Sequence, residues 1–365
     1  MTIWTAKGRL LGLFAASSLL AVQPTSGRGQ KLLRDMRNTG RVEAKRIATL
    51  RFENAPVAPD IQTQVFRLPG GGWGAISPVF RGRVPTFSAA GSWTGTLGRP
   101  GPGPGEFKHP FFAMAVGKQL WVVDPGNNRI TAFGPDGAVV GDRTLPGRVI
   151  WVQPIAGGLL LSGFFPSPSG VVNTVGRVTM NKADDEFGGQ PGTSNNAWVE
   201  LHLATETSSG QVWTVSMAGG RIGILRAHKL GPLASAQLPE ELSQPEAHAP
   251  EDLSGERPAP RVDGVMTDSD GIVWIVMGVA DAHWRRGLNP ATDTNKIFDT
   301  LVLAVSPQDR AIIGALRMDR SCRPVFSVVG GLMSCVNESA ATVDILRLRH
   351  QASAVPRGPP QNELK

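Results

Sequence analysis

The chain has no tyrosine, two cysteines, and no apolar run long enough to cross a bilayer. Its longest early apolar run, Leu10 to Val22, is 13 residues, short of the ~20 that a spanning helix needs. Gly and Pro make up one fifth of the 365 residues, below the ~25–30% that marks a low-complexity chain. With 41% hydrophobic residues, a wholly disordered chain is excluded as well. The formal charge is +7, but residues 1–60 hold ten Lys/Arg against four acids. Taking these from the totals of 37 and 30 leaves 27 basic and 26 acidic residues over 61–365. A polyanion-binding domain carries its basic residues on its folded face. This body is nearly neutral, so a nucleic-acid partner is not expected.

The N-terminus reads as an export signal. Lys7 and Arg9 precede the apolar run, and small residues near Ala21 offer a cleavage site. We therefore expect a signal peptide over 1–22 and a basic, solvated linker over 23–44. The mature protein is expected to be periplasmic or secreted, without a stable membrane anchor. No cysteine stands near the cleavage region to take a lipid. The two cysteines, Cys322 and Cys335, are disulfide candidates in an exported chain. A bridge across 13 residues would contribute about 3 kcal/mol in the chain-entropy picture.

One pattern recurs: an apolar strand, a Gly-centred turn, and a second apolar strand. It reads PGGGWGAIS from Pro69, VGKQLWVVD from Val116 and AGGLLLSGF from Ala156. It continues as SSGQVWTVS from Ser208, SDGIVWIVM from Ser269 and VGGLMSCVN from Val329. Glycine supplies the positive φ that tight hairpins require. Trp121, Trp213 and Trp274 share a place after the turn, with Trp73 close to it. Third strands are expected at 84–87, 129–133, 176–180, 221–225, 301–305 and 343–348. Fourth strands are expected at 93–97, 139–145, 233–238 and 311–318. The polar stretch after Met180 leaves the third unit without one. Six such units predict an all-β fold, a six-bladed β-propeller of four-stranded antiparallel blades over 45–350. The last unit lacks an outer strand, and residues 46–52 could supply it and close the ring. A disordered Pro-rich tail is expected over 351–365.

The second unit is the most specific. Its run LGRPGPGPGEFKHPFFAMAVGKQLWVVDPGNNRITAFGPDG, residues 97–137, resembles the NHL repeat. The likeness rests on the Gly-Pro-Gly-Glu-Phe entry and the Val-Asp-x-Gly-Asn-x-Arg-Ile strand. The other units match only as turn-and-strand patterns. The resemblance implies a structural role for Asp124, Asn127, Asn128 and Arg129: carboxylate and amides satisfy loop backbone groups, and the Arg pairs with nearby acids. It also implies that a partner docks on a disk face or at the channel mouth. Some NHL-type propellers are lyases with a metal held by histidines in the channel, which gives the alternative of a metal-dependent lyase or hydrolase.

The residues give that chemistry little. His109 and His202 stand near the starts of first strands, which line a propeller channel. However, no His-x-His pair or forced convergence supplies the three or four ligands that zinc needs. No metal is assigned, although a channel Ca²⁺ or Zn²⁺ stays open. Hydrolase chemistry lacks its Gly-x-Ser-x-Gly elbow. Gly101, Gly103 and Gly105 lack the Lys-Ser/Thr of a phosphate loop. Asp268-Ser-Asp270-Gly271 lacks the distal Glu of a Ca²⁺ loop and reads as a hairpin turn. Asp184, Asp185 and Glu186 read as a solvated turn. The 281–299 loop places His283, Trp284, Arg285 and Arg286 together, and aromatics with Arg are the usual content of binding hot spots. The expected protein is thus an exported, monomeric, non-catalytic binding or scaffold propeller without a cofactor. Its partner, a protein or small ligand, would contact Trp284, Arg285, Arg286, His109 or His202.

Overall fold

Hydrophobic runs and hairpin turns alternate along the chain, and the strands follow them. The computed structural model describes residues 40–167, 169, 172–189, 202–217, 220–226, 228–239, 242, 257–285, 287–288, 297–327 and 330–352, and the short strand at 31–32. The expected signal peptide, most of the linker, Arg286 and nearly all of the tail lie outside the described residues.

The first sheet holds Gln64–Arg67, Trp73–Ile76, Val84–Phe87 and Trp93–Leu97 in chain order. The second holds Phe112–Val116, Gln119–Asp124, Arg129–Phe133 and Val139–Thr144. The third holds Arg148–Ile155, Gly158–Pro166, Val172–Val178 and Glu186–Gly188. The fourth holds His202–Glu206, Val212–Ser216, Arg221–Leu225 and Pro232–Gln237, with Lys31–Leu32 added in parallel at its outer edge.

A two-stranded parallel pair, Arg99–Pro100 with Glu106–Phe107, and an eight-stranded sheet complete the set. One half is Arg261–Thr267, Val273–Ala280, Phe298–Ser306 and Ala311–Met318. The other half is Cys322–Pro324, Leu332–Asn337 and Thr342–Gln351, with Gly40–Arg51 as its outer strand. The N-terminal strand pairs antiparallel with Thr342–Gln351 from Arg41↔Gln351 to Arg51↔Thr342. It touches Ala311–Met318 only through Gly40 and Arg41. It begins at Gly40 and so takes up the last residues, 40–44, of the expected linker, Arg41 among them.

The first strands touch one another in sequence order around a ring, and Cys322–Pro324 meets Gln64–Arg67 to close it. Two backbone hydrogen bonds seal that junction, Arg67 N to Phe326 O at 3.1 Å and Phe326 N to Val65 O at 2.9 Å. Sheets of antiparallel strands arranged radially about a ring of first strands make a β-propeller. Burial follows the radius. The first and second strands of the second sheet are almost wholly buried, while its outermost strand exposes most of its residues. Trp73, Trp213 and Trp274 are all fully buried between sheets.

Two expectations change. The third sheet does have a fourth strand, Glu186–Gly188. Of the acids expected as a solvated turn, Asp184 is exposed, but Asp185 forms a bidentate pair with Arg143 of the second sheet at 2.8 and 2.6 Å. Both side chains are more than nine-tenths buried. That contact between sheets anchors a strand too short and polar to be read locally.

Cys322 and Cys335 sit opposite each other in the hairpin of Cys322–Pro324 with Leu332–Asn337, their sulfurs 2.08 Å apart in a disulfide. The strand so held is three residues long and ends in Pro324, which cannot donate to the ladder. Gly330 and Gly331, both at φ +60°, turn this hairpin. A side chain on Gly330 would collide with the Thr267 carbonyl of the adjoining sheet half.

Candidate functional site

The NHL-like run folds around one buried carboxylate. Asp124 Oδ1 accepts from the backbone N–H groups of His109, Gly126 and Asn127 at 2.9, 3.0 and 3.3 Å. Oδ2 accepts from Lys108 N at 2.8 Å. Asn127 Nδ2 donates to the carbonyls of Gly101 and Glu106 at 2.9 and 3.2 Å. Asn128 takes φ 51° and caps the 3-10 turn Pro125–Asn127. Arg129 donates to the carbonyls of Gly103 and Glu106, not to a carboxylate. The ion pair in this loop joins Glu106 to Arg99 at 2.8 Å. The Gly103 N–H, and then Arg99, hold the Glu106 carboxyl below its ordinary value. The Asp124, Asn127 and Arg129 bonds to residues 101–109 tie the Gly-Pro loop to the second hairpin.

The Asp268–Gly271 run is a turn. Asp268 accepts from Asp270 N, Ile272 N and the Trp274 indole at 3.0, 2.9 and 2.7 Å. Burial nevertheless pushes its carboxyl up.

The centre of the ring is filled. Trp151 of the third sheet packs on Phe326, from the far side of the ring, with centroids 5.2 Å apart. Phe112 of the second sheet meets Phe326 edge-on at 5.3 Å. Gln153 reaches across to the Val265 carbonyl at 2.7 Å. His109 and His202 are not brought into a ligand set. His109 is exposed before its strand, and its backbone N–H is held by Asp124. His202 opens the first strand of the fourth sheet, half-buried. Among the described residues no three His, Cys, Asp or Glu side chains gather closely enough to hold a metal.

The described ends of the 281–299 loop are organised by two buried aspartates. Asp281 Oδ1 accepts from His283 N at 2.5 Å, and the Asp281 carbonyl accepts from Trp284 N at 3.1 Å. Asp281 N donates to Ile297 O at 2.9 Å, pinching the loop's ends together. The result presents Arg285 and His283 exposed and Trp284 half-buried.

Beside this loop lies a groove of about 860 Å³, which Ala282 helps to line. It separates the two halves of the eight-stranded sheet where the N-terminal strand diverges from Ala311–Met318. One wall is a sheet face bearing Ala44, Arg46, Asp344 and Leu346; the other is the run Leu316–Arg320. Its polar groups are unevenly engaged. Arg317 grips the buried Asp299 carboxylate at 2.7 and 2.6 Å and donates to Ala280 O at 2.7 Å. Asp344 accepts from Thr49 Oγ1 at 2.7 Å. Arg46 and Arg320 flank Asp344 only at 3.7 and 3.5 Å, ion-pair distances rather than good hydrogen bonds. Of this site the sequence marked only the loop. The groove residues come from five separate stretches of the chain, and no local pattern singled them out.

No protein-family model matches the chain, and no curated protein matches it in sequence. Solved structures do resemble its shape. A member of the DUF4221 family from Bacteroides vulgatus superposes with a TM-score of 0.60 at 10% identity, covering 86% of this chain and 100% of that one. A Bacteroides fragilis protein described as a candidate exported protein gives 0.54 at 9% identity, covering 85% and 95%. A streptogramin B lyase gives 0.45 at 12% identity, covering 85% and 98%, too low for any argument. Identities of this size speak to the fold alone.

Proposed function

We propose that the chain is an exported, monomeric six-bladed propeller that binds a protein or other ligand and catalyses no reaction. The blade count is supported by the closed ring of first strands and by the N-terminal strand completing the last blade. The NHL-like second unit serves the fold, as its inward-turned hydrogen bonds suggest. Export is supported by the leader-like start of the sequence and the cysteine pair.

The observation that carries the binding reading is the contrast between ring centre and rim. Trp151, Gln153 and Phe326 pack across the ring centre. The accessible polar chemistry lies instead at the 281–285 loop and the adjoining groove. Long loops on a rigid scaffold are the usual place for recognition, and Trp284 with Arg285 is hot-spot chemistry.

The test is affinity capture from the producing cell with the parent, Trp284→Ala and Arg285→Ala proteins. The parent should retain a partner that both variants lose. Equal capture by all three would reject this face as the binding surface.

A further inference from the structure

We propose that the groove takes an extended acidic peptide segment, added as a strand along the edge of Leu316–Met318. This deepens the binding reading above and rests on it.

The backbone supplies the first argument. Ala311–Met318 pairs with Phe298–Ser306 on one side through its full length. On the other side it meets the N-terminal strand only at Gly314 and Ala315. Among the described residues nothing pairs with Leu316–Met318 there, so those of their N–H and C=O groups that point away from Phe298–Ser306 form an open edge facing the groove. An extended peptide satisfies such an edge by main-chain hydrogen bonds, whatever its sequence.

The side chains supply the selectivity. Arg46 and Arg320 approach from opposite walls, 66% and 41% exposed, with Asp344 between them. Neither makes a hydrogen bond to that carboxylate shorter than 3.5 Å. Each guanidinium keeps donors in the planar fork that fits a carboxylate. The acids of the groove are otherwise engaged: Asp299 by Arg317, and Asp344 by Thr49. Asp319 is the exception, exposed and next in the chain to Arg320, so the acidic side chains belong on the Arg46 side of the groove, with Arg320 reached across Asp344. The half-buried Ala44, Leu316 and Met318 offer an apolar surface to alternate residues of the same strand, as strand geometry requires.

The test is calorimetric titration of the full chain with three peptides. They are acetyl-Val-Glu-Val-Glu-Val-amide, its lysine counterpart, and the glutamate peptide N-methylated on alternate amides. The glutamate peptide should bind, and Arg46→Gln and Arg320→Gln should each weaken it at least tenfold. The lysine and N-methylated peptides should fail. Absence of binding, binding unchanged in both arginine variants, or equal binding of the lysine or N-methylated peptide would overturn the inference. Both arginines are solvent-exposed, and a matched urea midpoint would confirm that the variants fold. If the peptide result is negative while Trp284→Ala still loses the captured partner, the inference falls and the binding reading stands.

Discussion

Asp124 gives the sharpest test of how the second sheet is held. Its carboxylate is fully buried and accepts four backbone N–H groups at 2.8–3.3 Å. Replacing it with alanine leaves those donors without their acceptor. Lys108 and His109 are exposed residues, so water can reach part of that loss. Gly126 and Asn127 are half-buried, and their N–H groups carry the larger penalty. An unsatisfied buried donor costs about 1–3 kcal/mol. Two at the low end, together with the hydrated pair, place Asp124→Ala near 3 kcal/mol. Asp124→Asn keeps Oδ1 for three donors but turns an N–H₂ toward Lys108 N, so it should cost about half as much. For a chain of this size, ~3 kcal/mol corresponds to a Tm drop of roughly 4–5 °C. Urea unfolding followed by tryptophan fluorescence reads the loss as a midpoint shift. Asp136→Ala, at an exposed turn, is the control. If Asp124→Ala falls within about 0.5 kcal/mol of that control, the carboxylate is not the anchor described here.

Three further outcomes follow from other contacts. Arg143→Met should cost about 3–5 kcal/mol by stranding the buried Asp185 carboxylate, while Arg143→Met combined with Asp185→Leu should recover most of it; denaturant midpoints of the three proteins decide. Reducing the Cys322–Cys335 bridge, or Cys335→Ser, should cost about 3 kcal/mol, read as a lower Tm with dithiothreitol than without. Glu106 titrates below its ordinary 4.5, so its contribution is fully present above that value and is lost as pH falls through the folded-state value. Glu106→Gln should therefore show a shallower loss of Tm than the parent between about pH 5 and 3, and parallel curves would discard the assignment.

The elements that could be read from the chain are those whose signal is local. Val84–Phe87, Arg129–Phe133, Arg221–Leu225, Trp93–Leu97 and Ala311–Met318 stand where apolar runs and turn residues put them. Glu186–Gly188 carries no such signal, because its stability comes from Arg143 of another sheet. The N-terminal strand runs six residues further upstream than its apolar part, since Gly40–Lys45 sits at an outer edge where charge is tolerated. Arg129 was expected to pair with an acid and bonds carbonyls instead, because Arg99 already occupies Glu106. The candidate site was the least legible part. Trp284 and Arg285 stand together in sequence, but Arg46, Asp299, Arg320 and Asp344 meet only through the pairing of the first and last strands. The filling of the ring by Trp151 and Phe326 is equally non-local, as it joins residues from opposite sides of the ring.

The central claim is that recognition occurs at the rim, beside the last two sheet halves, and not at the ring centre. Photo-crosslinking in the producing cell tests it most directly, with a photoreactive residue placed singly at Trp284, Arg46 or His109. Adducts to a common partner from positions 284 and 46, with none from 109, are the predicted result. Adducts from 109 alone would contradict the account.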